Sequence, residues 1–230
     1  MGVPTAMPPP SGAPASAGRR RARGWLVALG VVVALAVAGA VAWWALPSPP
    51  TYDLLVVGDS VSFVSAGAIE TRFVDEDIKF VTKPGYTSGD LLPIVYETLD
   101  QLDIPGRGED RVVVLVGYND VRLGLEDGDS LEEMMQVTSE FDCAVWLTLP
   151  ARPGGEPSTF EGIDPDAIEL WNARVLELAA DHDTVHVASD WADVVTRAPA
   201  AELLEDGLHP NVAGQRRLAD AMHAAVDRSC

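Results

Sequence analysis

The chain is poor in cysteine, in basic residues and in metal-binding patterns, and each shortage removes a class of function. Cys143 and Cys230 are its only cysteines in 230 residues, too few for a fold held together by disulfides. Neither has ligand partners close in sequence, so neither marks a zinc site or a nucleophile. His182 and His186 are four apart, but His182 ends a predicted helix and His186 lies in a predicted strand, so both read as structural. Cations are scarcer still: Lys and Arg total 16 against 35 Asp and Glu. Because four arginines crowd positions 19–23, residues 51–230 carry a formal charge of −23, from 12 basic and 35 acidic side chains. Such a surface repels nucleic acid, although salt screens it beyond about 8 Å. It keeps the chain soluble and selects no substrate. There is no internal repeat, and the sequence leaves the oligomeric state open.

Charge is absent from one long stretch. Residues 25–46 run for 22 positions without a charged or strongly polar side chain. At about 1.5 Å per residue this is about 33 Å of helix, enough to cross a bilayer. Trp25, Trp43 and Trp44 mark its two ends as interfacial anchors would, and the arginines before it favour a cytoplasmic N-terminus. Residues 1–24, rich in Pro, Ala and Gly with no acid, are expected to be a disordered basic tail. The Pro-rich 47–51 is expected to be a short stiff linker. The competing reading is a signal peptide cut near Ala38-Gly39-Ala40, although the apolar run exceeds the usual length of about 7–15 residues. A transmembrane signal-anchor is the favoured expectation. Both readings put residues 52–230 outside the cytoplasm.

Residues 52–230 suffice for one domain with a full core. Strands are expected at 52–57, 78–81, 111–116, 144–149 and 185–187. Helices are expected at 61–73, 88–102, 131–141, 165–180 and 212–228. Ser130 with Glu133 suggests a capping box, and Asp164-Pro165 an N-cap followed by proline. Strands alternating with helices predict an α/β fold: a three-layer α/β/α sandwich around a five-stranded parallel sheet, ordered 2-1-3-4-5 as in flavodoxin-like folds. Cys143 opens the fourth strand and Cys230 ends the last helix, both at the sheet end away from the motifs below. The two thiols could meet there, and an oxidising compartment permits a disulfide; two free thiols are the alternative.

Four motifs fall beyond the carboxyl ends of expected strands or just before the last helix. They are Gly58-Asp59-Ser60, Pro84-Gly85-Tyr86-Thr87-Ser88, Gly117-Tyr118-Asn119-Asp120 and Asp206-Gly207-Leu208-His209-Pro210. An open parallel sheet binds ligands at that edge. Ser60, His209 and Asp206 are the side-chain types needed to attack a carbonyl. A serine hydroxyl is a poor nucleophile until a base takes its proton, and a carboxylate fixes that base's tautomer. Asn119 offers an amide donor to a developing oxyanion, and Gly85 lets backbone approach closely. No G-x-S-x-G elbow surrounds Ser60, because position 62 is serine, which argues against the α/β-hydrolase fold. Each residue also has a plainer reading: Ser60 as a helix cap, Asn119, Asp120 and Gly85 as turn formers, Asp206-Gly207 as a turn. Asp59 and Asp120 are read as loop-holding residues.

These motifs resemble the GDSL family, in its SGNH hydrolase branch, over roughly residues 52–226. The resemblance implies Ser60 as nucleophile, His209 as general base and Asp206 as its orienting partner. It also implies an oxyanion hole from the Ser60 amide, Gly85 and Asn119. No metal or cofactor is implied. Tyr118 departs from the smaller residue common in the family before the Asn, which bears on the shape of the acyl pocket. The family's activities include esterases, lipases, thioesterases and carbohydrate O-deacetylases. With the address outside the cytoplasm, the expected substrates are O-acyl groups on envelope glycans or lipid esters, and acyl transfer or non-catalytic tethered binding are the alternatives. The stretch 151–162 is expected to be a mobile loop that contributes to substrate selection. Trp171 is expected in the core.

Overall fold

The computed structural model describes residues 52–102, 111–125, 128–155 and 163–230. The expected tail, membrane helix and linker at 1–51 lie outside the described residues, as does 156–162 of the expected loop. Among the described residues no helix is long and apolar enough to cross a membrane.

Five parallel strands form one sheet: β1 Leu54–Gly58, β2 Ile78–Thr82, β3 Arg111–Leu115, β4 Cys143–Leu147 and β5 Val185–Ala188. Their spatial order is β2-β1-β3-β4-β5, the expected 2-1-3-4-5. Strands covered on both faces need apolar side chains at every position, not alternate ones. Leu54-Leu55-Val56-Val57 and Val112-Val113-Val114-Leu115 meet that need and are fully buried.

The longer helices are α1 Ser60–Arg72, α2 Ser88–Leu102, α4 Asp129–Thr138, α5 Pro165–Ala179 and α8 Val212–Ser229. Between them lie the shorter α3 Tyr118–Arg122, α6 Asp190–Arg197 and α7 Ala200–Leu203, none of which the sequence pattern disclosed. α1 and α6 pack on α8, while α4 packs against both α2 and α5. Two helix layers therefore enclose the sheet.

Helix starts show which local signals survived packing. Asp164 caps α5 by accepting the Asp166 N–H, with Pro165 following, as expected. The Ser130–Glu133 capping box does not form. α4 begins at Asp129 with Gly128 as its cap, and Ser130 Oγ lies where a Cβ on Gly89 of α2 would stand 2.7 Å away. The close approach of α4 to α2 takes the serine that the local pattern had assigned to the cap.

Cys143 and Cys230 form a disulfide with Cα atoms 5.8 Å apart, linking the start of β4 to the end of α8 across 87 residues. It closes the end of the sheet opposite the loops described next.

The register places Gly58 beside Thr82 on one side and Leu115 on the other, so β1, β2 and β3 end level. The chain leaves β1 for β2 at the sheet edge, then crosses back to β3. This reversal opens a crevice beyond the carboxyl ends of β1 and β3.

Candidate active site

Directly after β1, Asp59 caps α1, its Oδ1 accepting the Val61 N–H at 3.0 Å. Ser60 is therefore the first helical residue and not the cap, which leaves its hydroxyl available. Ser60 Oγ lies 2.9 Å from His209 Nε2, a residue 149 positions away.

His209 comes from a tight loop ahead of α8. Leu204 and Pro210 form an antiparallel bridge, and the Glu205 N–H donates to the His209 carbonyl at 2.8 Å. Asn211 then caps α8, accepting from Ala213 and Gly214. Inside the loop, Asp206 Oδ1 accepts the backbone N–H groups of Leu208 and His209, at 2.9 and 2.7 Å. Its Oδ2 stands 2.6 Å from His209 Nδ1. The ring hydrogen therefore belongs on Nδ1, facing the carboxylate, and Nε2 keeps a lone pair for the serine proton.

The loops after β2 and β3 form the opposite wall. Gly85 sits at φ +79°, a left-handed conformation that costs glycine nothing. Asn119 Nδ2 donates to the Tyr86 carbonyl at 2.9 Å, and Asn119 Oδ1 accepts from Arg122 at 3.0 Å. One residue on, the Asp120 carboxylate accepts the Ser88 N–H at 3.0 Å and the Ser88 hydroxyl at 2.6 Å. Two adjacent side chains of α3 thus fasten the Gly85 loop to the Asn119 loop. Asp120 does hold a loop. Burial raises its carboxyl above the ordinary carboxylate range, and the Ser88 hydrogen bonds oppose that rise.

Ser60, Gly85, Asn119 and His209 line one cleft of about 170 Å³ with Pro84, Tyr118, Arg122, Ile163 and Leu208. The structure brings together every residue that the motifs singled out for an acyl-transfer site, except that Asp206 stands behind His209 and out of the cleft lining. Among the described residues no group of three or more His, Cys, Asp or Glu could hold a metal ion.

Trp171 is in the core as expected, but it also supports the site. A Cβ on Gly117 would lie 2.3–2.6 Å from the Trp171 indole, and Gly117 adopts φ +132°. The glycine thus lets β3 turn into α3 directly over the ring. No local signal in the sequence links the two positions. Asp59 is the other hidden feature. It is fully buried, and burial pushes its carboxyl up to about 7. The Val61 and Tyr118 N–H groups oppose that rise and the Asp120 charge adds to it.

The sequence profile of the GDSL-like lipase/acylhydrolase family matches residues 57–217, most of the chain. The chain belongs to this family. It is an ester-hydrolysing enzyme. No curated protein sequence matches it. Solved structures share the fold of this GDSL-like chain at low identity. A GDSL-like lipase from Bacteroides thetaiotaomicron is 18% identical with a TM-score of 0.62, covering 81% of this chain and 94% of that one. The catalytic domain of Streptococcus pneumoniae peptidoglycan O-acetyltransferase A is 18% identical with a TM-score of 0.59, over 78% and 94%. An acetylxylan esterase from Geobacillus stearothermophilus is 18% identical with a TM-score of 0.55, over 78% and 96%.

Proposed function

We propose that this GDSL-like enzyme cleaves short-chain O-acyl esters outside the cytoplasm through an acyl-enzyme on Ser60. The observation that carries the reading is the continuous hydrogen-bonded chain Ser60 Oγ–His209 Nε2, His209 Nδ1–Asp206 Oδ2 at the wall of the cleft. His209 takes the hydroxyl proton as Ser60 attacks the ester carbonyl, and Asp206 holds the ring and stabilises the imidazolium. The oxyanion accepts hydrogen bonds from the Ser60 and Gly85 backbone N–H groups and from the second N–H of Asn119 Nδ2, the first being held by Tyr86. His209 returns the proton to the leaving alcohol. Water, deprotonated by the same nitrogen, then attacks the acyl-serine and releases the acid.

A cleft of about 170 Å³ is smaller than the roughly 300–1,000 Å³ that house drug-sized ligands. That size favours an acetyl-sized group. The fold is shared with an acetylxylan esterase and a peptidoglycan O-acetyltransferase but also with a GDSL-like lipase, so it is the small cleft that favours O-acyl groups of envelope glycans over long-chain lipid esters. The address rests on two supports. The 25–46 apolar run suits a membrane anchor, and the Cys143–Cys230 disulfide suits an oxidising compartment. The acetyltransferase-like fold also supports a second reading, in which a sugar hydroxyl and not water takes the acyl group from Ser60.

The test uses the full-length chain and Ser60→Ala against p-nitrophenyl esters of increasing chain length, with and without a glycan acceptor. Activity on acetate that vanishes in the variant and falls steeply with chain length is the expected result. Equal turnover by wild type and Ser60→Ala would refute the role of Ser60. Product formation only with acceptor would establish transfer.

A further inference from the structure

The cleft contains one arginine that the acyl-enzyme scheme leaves without a task. Arg122 ends the short helix α3 that begins with Tyr118 and Asn119. Arg122 is among the residues lining the cleft, and the one hydrogen-bond partner of its guanidinium among the described residues is Asn119 Oδ1, at 3.0 Å. Six other arginines, at 72, 111, 152, 174, 197 and 228, each meet an Asp or Glu. Arg216 and Arg217 have no carboxylate partner among the described residues either, but both lie exposed on α8. Among the described residues, Arg122 is therefore the arginine without a carboxylate partner at the candidate site.

We infer that Arg122 is a positioning residue for the oxyanion hole, acting through Asn119; this rests on the acyl-enzyme reading above. A carboxamide has two ends of nearly equal shape, and only one orientation stabilises an oxyanion. With Oδ1 on the Arg122 guanidinium, Nδ2 faces the Tyr86 carbonyl. Flipping the amide would set two donors against each other at Arg122 and two acceptors against each other at Tyr86. Arg122 supplies the half of this lock that can only donate. Tyr86 supplies the other half from the loop that carries Gly85, so fixing Asn119 also fixes the spacing between two donors. The guanidinium charge beside Oδ1 further polarises the amide and strengthens its N–H groups as donors. The benefit grows as negative charge develops on the substrate oxygen, so it falls on turnover more than on substrate binding.

The test is a double-mutant cycle on the full-length protein with p-nitrophenyl acetate. Arg122→Met keeps most of the stem and removes the donors. Loss of a whole oxyanion donor costs about 100- to 1000-fold, so disordering one should lower kcat by about 10- to 100-fold with KM within about twofold. Arg122→Lys, with a charge but no planar fork, should recover part of the loss. In an Asn119→Ala background, Arg122→Met should change kcat by less than about twofold, because the group it acts through is gone. An unchanged kcat in Arg122→Met, a change confined to KM, or a full additional loss in the Asn119→Ala background would each overturn the inference. Because Arg122 is exposed, its variants should melt with the wild type. Turnover that depends on Ser60 but ignores Arg122 defeats this inference alone. Turnover that is independent of Ser60 defeats the acyl-enzyme reading and this one with it.

Discussion

Asp59 makes the stability of this protein depend on pH in a direction unusual for a carboxylate. Most folded acids are stabilised as anions, so acid unfolds the protein. Asp59 precedes Ser60 with no exposed surface, and burial holds its carboxyl up at about 7 against 3.8 in an open chain. Between those values the folded state keeps a proton that the unfolded state has released. The stability contributed at Asp59 is therefore full below about pH 4 and falls as pH rises through 7. The difference of roughly three pH units corresponds to about 4 kcal/mol at most. Asp59→Asn removes the titration while keeping an oxygen to cap Val61, and asparagine is as good a cap as aspartate. Any cost of burying the new Nδ2 is the same at every pH and cancels in the comparison. Thermal unfolding of wild type and Asp59→Asn should be followed from pH 4 to pH 8. The variant should gain on wild type by about 4 kcal/mol across that span, or about 10 °C in midpoint for a domain of this size. Other titrating groups are common to both proteins. Parallel pH profiles would show that Asp59 is not held protonated, and the argument from its burial would fail.

Three further outcomes follow from packing. Replacing both Cys143 and Cys230 with serine opens a closure spanning 87 residues, which chain entropy values at about 4–5 kcal/mol; denaturant unfolding with and without reductant measures it, and wild type under reductant should match the double variant. Gly117→Ala drives a methyl into the Trp171 indole at a positive φ and should cost at least about 1–3 kcal/mol, read by thermal unfolding and by indole fluorescence. Asp120→Ala leaves the Ser88 N–H and hydroxyl buried without acceptors, a loss of about 1–3 kcal/mol. Because that bond also ties the Gly85 loop to Asn119, kcat on p-nitrophenyl acetate should fall as well, whereas an unchanged kcat would separate loop anchoring from catalysis.

The strands, the order of the sheet and the four motifs could be read along the chain because their signals are local. Val112 to Leu115 is apolar at every position because both faces of β3 are covered, and strand–helix alternation then leaves few topologies open. The motif positions follow from strand ends and from the loop before the last helix, so the sequence alone assigns Ser60, Gly85, Asn119 and His209 to one edge. Tertiary structure decided what local pattern cannot carry. The pairing of Ser60 with His209 spans 149 residues, and that of Cys143 with Cys230 spans 87. In both cases the sequence supplies the chemistry but not the distance. Ser130 left its predicted capping box because α4 rests against Gly89, a contact that outranks a local hydrogen bond. α3, α6 and α7 were invisible because helices of four to eight residues show too few turns for an apolar period to emerge. The Trp171–Gly117 contact, the burial of Asp59 and the Arg122–Asn119 bond all depend on side chains meeting around the sheet edge. Residue types and their order determined the chemistry and the frame of this protein. The packing of layers decided which side chains meet, because burial and hydrogen bonding act across space and not along the chain.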